Sequence, residues 1–187
     1  MISITLGNTV VVSDPCYEIP TWCQAVVENV LPGNYRTTVL KTDDNDWGTR
    51  CSHIISIHED YCTQDQKFKW ESYPADIGVD SGQAGIFSIE SYRKDDYQFN
   101  FEPYSFGQNY DTQDGDKWYR HMCELTLGSE QWGSYDNGVV SSSGIGDGSY
   151  ELLITKKKGL IIGFVINFFM DKRSIKKIIQ EEFQTRI

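Results

Sequence analysis

Near the middle of the chain stands DIGVDSGQAGIF, residues 76–87, and this stretch predicts a strand, a tight turn and a second strand. Apolar residues alternate with Gly78 before the turn, and an apolar run resumes at Ile86 after it. The glycines of the stretch allow a second backbone or a ligand to come close. We therefore expect the polar side chains of the turn to contribute to a site, and these are Asp80, Ser81 and Gln83.

The chain as a whole predicts a single domain of the mainly β, α+β class. Its 187 residues suffice for one sizeable core, and an aromatic content of 13% favours sheet over helix. We expect residues 1–170 to form a β-sandwich or a strongly curved antiparallel sheet with short helices. Residues 171–187 predict a C-terminal amphipathic helix that Asp171 caps and that packs on the sheet; its apolar stripe is Ile175, Ile178, Ile179 and Phe183.

In the N-terminal part, the alternation within residues 2–6 and 9–13, interrupted by a Gly-Asn pair, predicts a β-hairpin. Residues 21–30 predict a short helix that Thr21 caps. Residues 35–40 and 50–58 predict a pair of strands on either side of an acidic loop.

In the C-terminal part, residues 103–115 predict a long folded loop, because they are rich in aromatic side chains. Residues 116–127 predict a helix or a mixed segment. Residues 138–143, 149–154 and 160–168 predict a three-stranded meander. The last of these strands is continuously apolar, which is typical of a central strand covered on both faces.

The charge is divided unevenly and argues against a nucleic-acid partner. Residues 1–150 hold 9 Lys and Arg against 23 Asp and Glu, or −14, while residues 151–187 hold 8 against 4, or +4, which gives the net −10. An acidic body repels phosphate backbones. The sequence contains no apolar run of membrane-spanning length and no secretion signal, so we expect a cytoplasmic protein without a membrane partner.

The five cysteines are scattered and odd in number, which predicts reduced thiols rather than a disulfide framework. A zinc site is the alternative, and its ligands would be Cys51, His53, His58 and Cys62. On a strand, however, Cys51 and His53 face one side and His58 faces the other, so that the four do not converge. We expect no metal and no cofactor.

Three polar turns each follow a predicted strand, at residues 14–17, 80–85 and 141–150. If these strands share one end of a sheet or sandwich, the turns converge on a common site. The candidate ligand-binding residues are Asp14, Cys16, Tyr17, Trp22, Asp80, Ser81, Gln83, Ser143, Asp147 and Tyr150, of which Trp22 is the expected stacking aromatic. The glycine spacing matches neither a P-loop nor a dinucleotide fingerprint.

Support for catalysis is weaker. A Cys16 nucleophile needs a base, and the spacing places no histidine beside it. Asp14 and Asp80 are the alternative, as an acid and base pair, but nothing in the sequence separates their proton affinities.

Four motifs carry a family resemblance: VSDPCY at 12–17, VLPGNY at 30–35, GVDSGQAGIF at 78–87 and SSGIGDGSY at 142–150. With them the chain resembles a group of uncharacterised phage and bacterial proteins and the domain-of-unknown-function family numbered 4241. The resemblance covers most of the chain, except the loop at 92–115 and the C-terminal helix. It implies a phage protein that acts in the host cytoplasm against host defence, and it implies no particular chemistry.

These observations leave three hypotheses open. The first is a non-catalytic binding protein that captures a small polar, nucleotide-derived ligand at the three turns. The second is a hydrolase-like enzyme that uses Cys16 or the Asp pair. The third is an inhibitor that binds a host protein through the C-terminal helix. The sequence leaves the oligomeric state open.

Overall fold

The computed structural model describes residues 1–63, 67–95, 115–169, 175–179, 181 and 183, and in these it shows a mainly β fold built on two antiparallel sheets. The first sheet has the strand order β1-β4-β5-β12-β11-β6, with β7 also paired to β11, and the second has the order β3-β2-β8-β10-β9. The strands of the first sheet are β1 (Ile2–Leu6), β4 (Gly33–Asp44), β5 (Gly48–His58), β6 (Trp70–Ser72), β7 (Ile77–Val79), β11 (Gly148–Lys157) and β12 (Leu160–Asn167). Those of the second are β2 (Val10–Ser13), β3 (Ala25–Val27), β8 (Gln83–Ser88), β9 (Trp132–Tyr135) and β10 (Gly138–Ser142).

The main core lies between the two sheets. Alternate residues of the strands point into it, so that Ile54, Phe164 and Leu152 of the first sheet meet Val12, Ile86 and other apolar residues of the second. This face-to-face packing makes the fold a sandwich, as the sequence predicted.

Each sheet is also covered on its outer face by a helix. Helix α1 (Asp116–Leu127) places Trp118 and Met122 against Phe87 of the second sheet. Helix α2 (Ile175–Ile179) covers the first sheet, where Ile178 and Ile179 belong to a second apolar cluster together with Phe183. The order of layers is therefore helix, sheet, sheet, helix, and central strands such as β8 are buried along their whole length. None of the described helices is long and apolar enough to cross a membrane.

Several sequence predictions are confirmed. Strands β4 and β5 pair as expected, α1 forms over residues 116–127, and β12 is a central strand between β5 and β11. The apolar stripe of the C-terminal helix packs on the sheet at Ile178, Ile179 and Phe183. Asp171 and residues 103–114 of the loop predicted at 103–115 lie outside the described residues.

The helix predicted for residues 21–30 is wrong. Residues 25–27 form β3, which pairs with β2 through Val10 opposite Val27 and Val12 opposite Ala25. Both Val26 and Val27 are β-branched and fit an extended strand better than a helix. Pairing at the edge of the second sheet therefore overrides the helical spacing.

Two of the predicted hairpin connections are also wrong, because the chain crosses between the sheets at each of them. Strand β1 pairs with β4 and not with β2, and β10 pairs with β8 and β9 rather than with β11. The central turn at 80–82 makes the same crossing, since β7 pairs with β11 and β8 pairs with β2. Only the β11–β12 part of the predicted meander is a hairpin.

Candidate functional site

The turns at 14–17 and 80–82 are joined by the buried carboxylate of Asp14, which follows β2. Its Oδ1 accepts the N–H of Cys16 at 2.8 Å and the Ser81 hydroxyl at 2.6 Å. Its Oδ2 accepts the backbone N–H groups of Asp80 at 2.9 Å and Ser81 at 2.7 Å. Four donors occupy the two carboxylate oxygens. Asp14 therefore holds the two turns together and leaves no lone pair favourably placed for a ligand.

The third turn, residues 141–150, is attached to the second through its backbone. The N–H of Ser143 donates to the Gly82 carbonyl at 2.9 Å. Tyr150 closes this turn from inside, since its hydroxyl lies 2.9 Å from the Ser143 carbonyl and 2.6 Å from that of Gly146. The three turns therefore meet at one end of the sandwich, which we call the turn-bearing end.

The turn-bearing end also depends on residues that the sequence patterns did not indicate. The Tyr92 hydroxyl donates to the Tyr17 carbonyl at 2.7 Å, and Arg93 Nη1 donates to the carbonyl groups of Pro15 and Cys16. Gln24 Nε2 donates to the Ser13 hydroxyl at 2.9 Å. Tyr92 and Arg93 come after β8 in the chain, and no local motif indicates such long-range contacts.

Helix α1 closes another side of the turn-bearing end. The Gln83 side chain lies between Ser81 and the helix: its Nε2 is 3.4 Å from the Cys123 Sγ, and its Oε1 accepts the Thr126 hydroxyl at 2.9 Å. Burial is the main cause that raises the pKa of Tyr119, followed by the nearby Cys123 thiol. Residues 119, 123 and 126 follow helical spacing, which is the one sequence signal that places them on a common face.

Trp22, Asp80 and Asp147 are the predicted site residues that face solvent. The Trp22 side chain is 93% exposed, although the backbone around it is held in place: Cys23 accepts the Gly78 N–H at 2.9 Å, and the N–H of Gln24 donates to the Thr21 carbonyl at 3.2 Å. Asp147 is exposed in the third turn. Tyr17 links this region to the second turn through a 2.6 Å hydrogen bond from its hydroxyl to Asp80 Oδ2.

The environment of Cys16 disfavours the thiolate. Burial raises the pKa of the Cys16 thiol to about 12, and the negative charges of Asp14 and Asp80 act in the same direction. A nucleophilic cysteine requires the opposite surroundings, namely a cation or a helix N-terminus that stabilises the thiolate. The arrangement is therefore better suited to a protonated thiol that packs beside Asp14 than to a nucleophile.

The candidate zinc ligands do not form a cluster. Across the part of the chain that the structure describes, no group of three or more His, Cys, Asp and Glu side chains lies close enough together to hold a metal ion. Cys51 lies with its Sγ 3.6 Å from the Gln131 carbonyl, while Cys62 contacts the carbonyl groups of Ile57 and His58.

Comparisons of the chain with models of protein families, with curated proteins and with solved structures match none of them. The resemblance noted from the motifs thus stays a prediction, and the functional argument depends on the geometry alone.

Proposed function

We propose that this chain is a non-catalytic binding protein whose contact surface is the turn-bearing end, and that Trp22 is its principal contact residue. The observation that carries the proposal is the 93% exposure of Trp22 on a backbone that hydrogen bonds hold in place. A large apolar ring left in water is costly to the free protein and gains free energy when a partner covers it. Exposed tryptophans are also enriched among the residues that dominate binding energies.

The polar groups of the turn-bearing end favour binding over catalysis. The two carboxylate oxygens of Asp14 are occupied by four donors, and the Cys16 thiol is kept protonated. An acid–base pair of Asp14 and Asp80 would have to break these hydrogen bonds before it could accept a proton from a substrate. The hydrolase hypothesis accordingly has less support than the binding hypothesis.

A small planar ligand, such as a nucleotide derivative, is one molecule that this surface suits, because a base can stack on the Trp22 ring. The exposed carboxylates of Asp80 and Asp147 disfavour a strongly anionic ligand at the same place. A protein partner is the second candidate, and the exposed apolar side chains of Ile19 and Ile145 on the loops of this end favour it. A role against host defence stays a prediction from the motif resemblance.

The test is a thermal-shift screen of the wild-type protein and two variants, Trp22→Ala and Trp47→Ala. Trp47 is the matched control, since it is also exposed but lies in the turn between β4 and β5. The probes are nucleotides, cyclic dinucleotides and adenosine-diphosphate-ribose derivatives. Binding at a hundred times the dissociation constant stabilises a protein by about 2.7 kcal/mol, and we expect any such shift to disappear in Trp22→Ala and to persist in Trp47→Ala.

Chromatography of each bound probe after incubation separates binding from catalysis. The proposal predicts that the probe is recovered unchanged. A shift that Trp22→Ala retains would contradict the assignment of the surface, and a probe recovered as a new compound would contradict the absence of catalysis. If no small probe shifts the wild-type protein, a polypeptide becomes the favoured ligand.

A further inference from the structure

We infer that the partner of the turn-bearing end is a lysine- or arginine-containing segment of another protein, whose cationic side chain lies over the Trp22 ring between carboxylates. This inference rests on the binding function proposed above and adds the chemical class of the partner. It is argued from the exposed apolar side chains, the exposed carboxylates and the hydrogen-bonded loops around Trp22.

The surface combines exposed apolar and acidic side chains on neighbouring loops. We call it the Trp22 surface, and its members are Glu18, Ile19, Trp22, Asp80, Ile145 and Asp147. Ile19 is 40% exposed and Ile145 is 58% exposed. The loops that carry these residues are joined by the Tyr17–Asp80 hydrogen bond and by the Ser143 N–H to Gly82 carbonyl bond.

The strand register places these loops side by side. The Cys23 carbonyl, one residue after Trp22, accepts the N–H of Gly78 in β7. Strand β7 in turn pairs with the start of β11, where Gly148 lies opposite Val79. Neighbouring strands are about 4.8 Å apart, so the chain at Trp22 and the end of the third turn lie within about two strand spacings of each other.

The charges of the Trp22 surface attract a cation. Glu18, Asp80 and Asp147 are all exposed, and Arg93 directs Nη1 to the carbonyl groups of Pro15 and Cys16 in the first turn. A positively charged side chain that approaches Trp22 gains both carboxylate attraction and a cation–π interaction with the indole ring. A phosphate group at the same place is repelled by these carboxylates, which makes a cationic partner the better electrostatic match.

The apolar neighbours favour a polypeptide over a free cation. A lone ammonium or guanidinium group can cover only the Trp22 ring, whereas a peptide segment also covers Ile19 and Ile145 with its aliphatic stems and flanking residues. The loop backbone is already fixed, since the Thr21 hydroxyl donates to the Glu18 carbonyl at 2.6 Å. Binding therefore costs little ordering of the loop.

A second exposed tryptophan in acidic surroundings serves as a control for non-specific attraction between a basic peptide and the acidic protein. Trp47 is 58% exposed in the turn between β4 and β5, and the same turn region carries Asp43, Asp44 and Asp46. A basic peptide that binds only because the protein is acidic would be attracted to this turn at least as strongly. The Trp22 surface differs from it in carrying two further exposed apolar side chains, Ile19 and Ile145, on its loops.

The experiment measures the affinity of a short lysine- and arginine-rich peptide for the full chain by isothermal titration calorimetry, in buffers of low and physiological salt. We expect Trp22→Ala to weaken binding at least about tenfold, and Asp80→Asn and Asp147→Asn to weaken it about threefold each, with a smaller effect at higher salt. Trp47→Ala and Asp46→Asn should change the affinity less than about twofold. A glutamate-rich peptide of equal length should not bind.

The outcomes separate this inference from the proposed function. Equal losses in the Trp22 and Trp47 variants would show unspecific attraction and overturn the inference, as would a wild-type chain that does not bind the basic peptide. If a nucleotide probe binds in a Trp22-dependent way while the basic peptide does not, the binding function stands and the inference fails. If no binding depends on Trp22, both fail.

Discussion

At the scale of single residues, Asp14 explains how the turns at 14–17 and 80–82 are held in one arrangement. The backbone N–H groups of Cys16, Asp80 and Ser81 all point at its carboxylate. Without it these donors would have no partner in a largely buried place, and an unsatisfied buried polar group costs about 1–3 kcal/mol. The residue was identified from the sequence as a site residue, and the structure places it in a supporting role below the surface.

Replacing Asp14 tests this role. In Asp14→Asn the amide group offers hydrogens to donors that need an acceptor, and hydrogen bonds to charged groups contribute about 1.5–3 kcal/mol each. We expect the free energy of unfolding, measured by urea denaturation, to fall by at least about 3 kcal/mol. The matched variant Asp147→Asn, at an exposed carboxylate, should lose less than about 1 kcal/mol. Similar losses in the two variants would contradict the account.

At the scale of elements, strand β8 depends on a glycine that lets an aromatic ring lie flat on the sheet. A Cβ at Gly85 would collide with the Phe87 ring and with the Val139 carbonyl of β10. Phe87 is in turn enclosed by Tyr92, Trp118 and Tyr135, with ring centroids 5.5, 5.1 and 6.5 Å away. Gly85 thus sets how closely α1 and its cluster pack on the second sheet.

The variant Gly85→Ala should therefore destabilise the protein by at least about 2 kcal/mol, because the added methyl group displaces either the ring or the neighbouring strand. Gly128→Ala is the control. At that position the nearest atom to a new Cβ is the Glu124 carbonyl at 3.9 Å, and we expect a change within about 0.5 kcal/mol. Urea denaturation checks both values, and a Gly85→Ala protein of wild-type stability would contradict the close packing of Phe87 on Gly85.

The elements also show what could be predicted from the sequence. The existence of most strands and of α1 followed from local patterns, because alternation and helical spacing are properties of neighbouring residues. Which strands pair did not follow, since β1 and β2 or β10 and β11 are adjacent in the chain but belong to different sheets. Likewise the polar turns were identified, whereas their contacts with Gln24, Tyr92 and α1 arise only from tertiary packing.

At the scale of the whole molecule, buried thiols and phenols should make stability depend on alkaline pH. Burial raises the pKa of Cys16 to about 12 and that of Cys62 to about 11, and it also raises the pKa values of Tyr35 and Tyr92. The unfolded chain releases the thiol protons near pH 9.0, the ordinary value. The stabilising contribution of these groups is therefore complete below about pH 9 and is lost as the pH rises toward 11 and 12.

We expect the urea midpoint to be lower at about pH 10.5 than at about pH 8. The double variant Cys16→Ala and Cys62→Ala should show a smaller decrease over the same interval, because two of the groups with raised pKa values are removed. A midpoint that rises with pH in this interval, or an equal decrease in the double variant, would contradict the assignment.

At this scale, we propose that one end of the sandwich is a binding surface and that Trp22 lies at its centre. The most direct measurement is ¹⁹F NMR of the protein with its five tryptophans replaced by 5-fluorotryptophan, titrated with the lysine- and arginine-rich peptide. Resonances are assigned by single substitution of each tryptophan. We expect the Trp22 resonance to shift saturably while that of the exposed Trp47 stays in place. A titration that moves Trp47 and leaves Trp22 unchanged would contradict it.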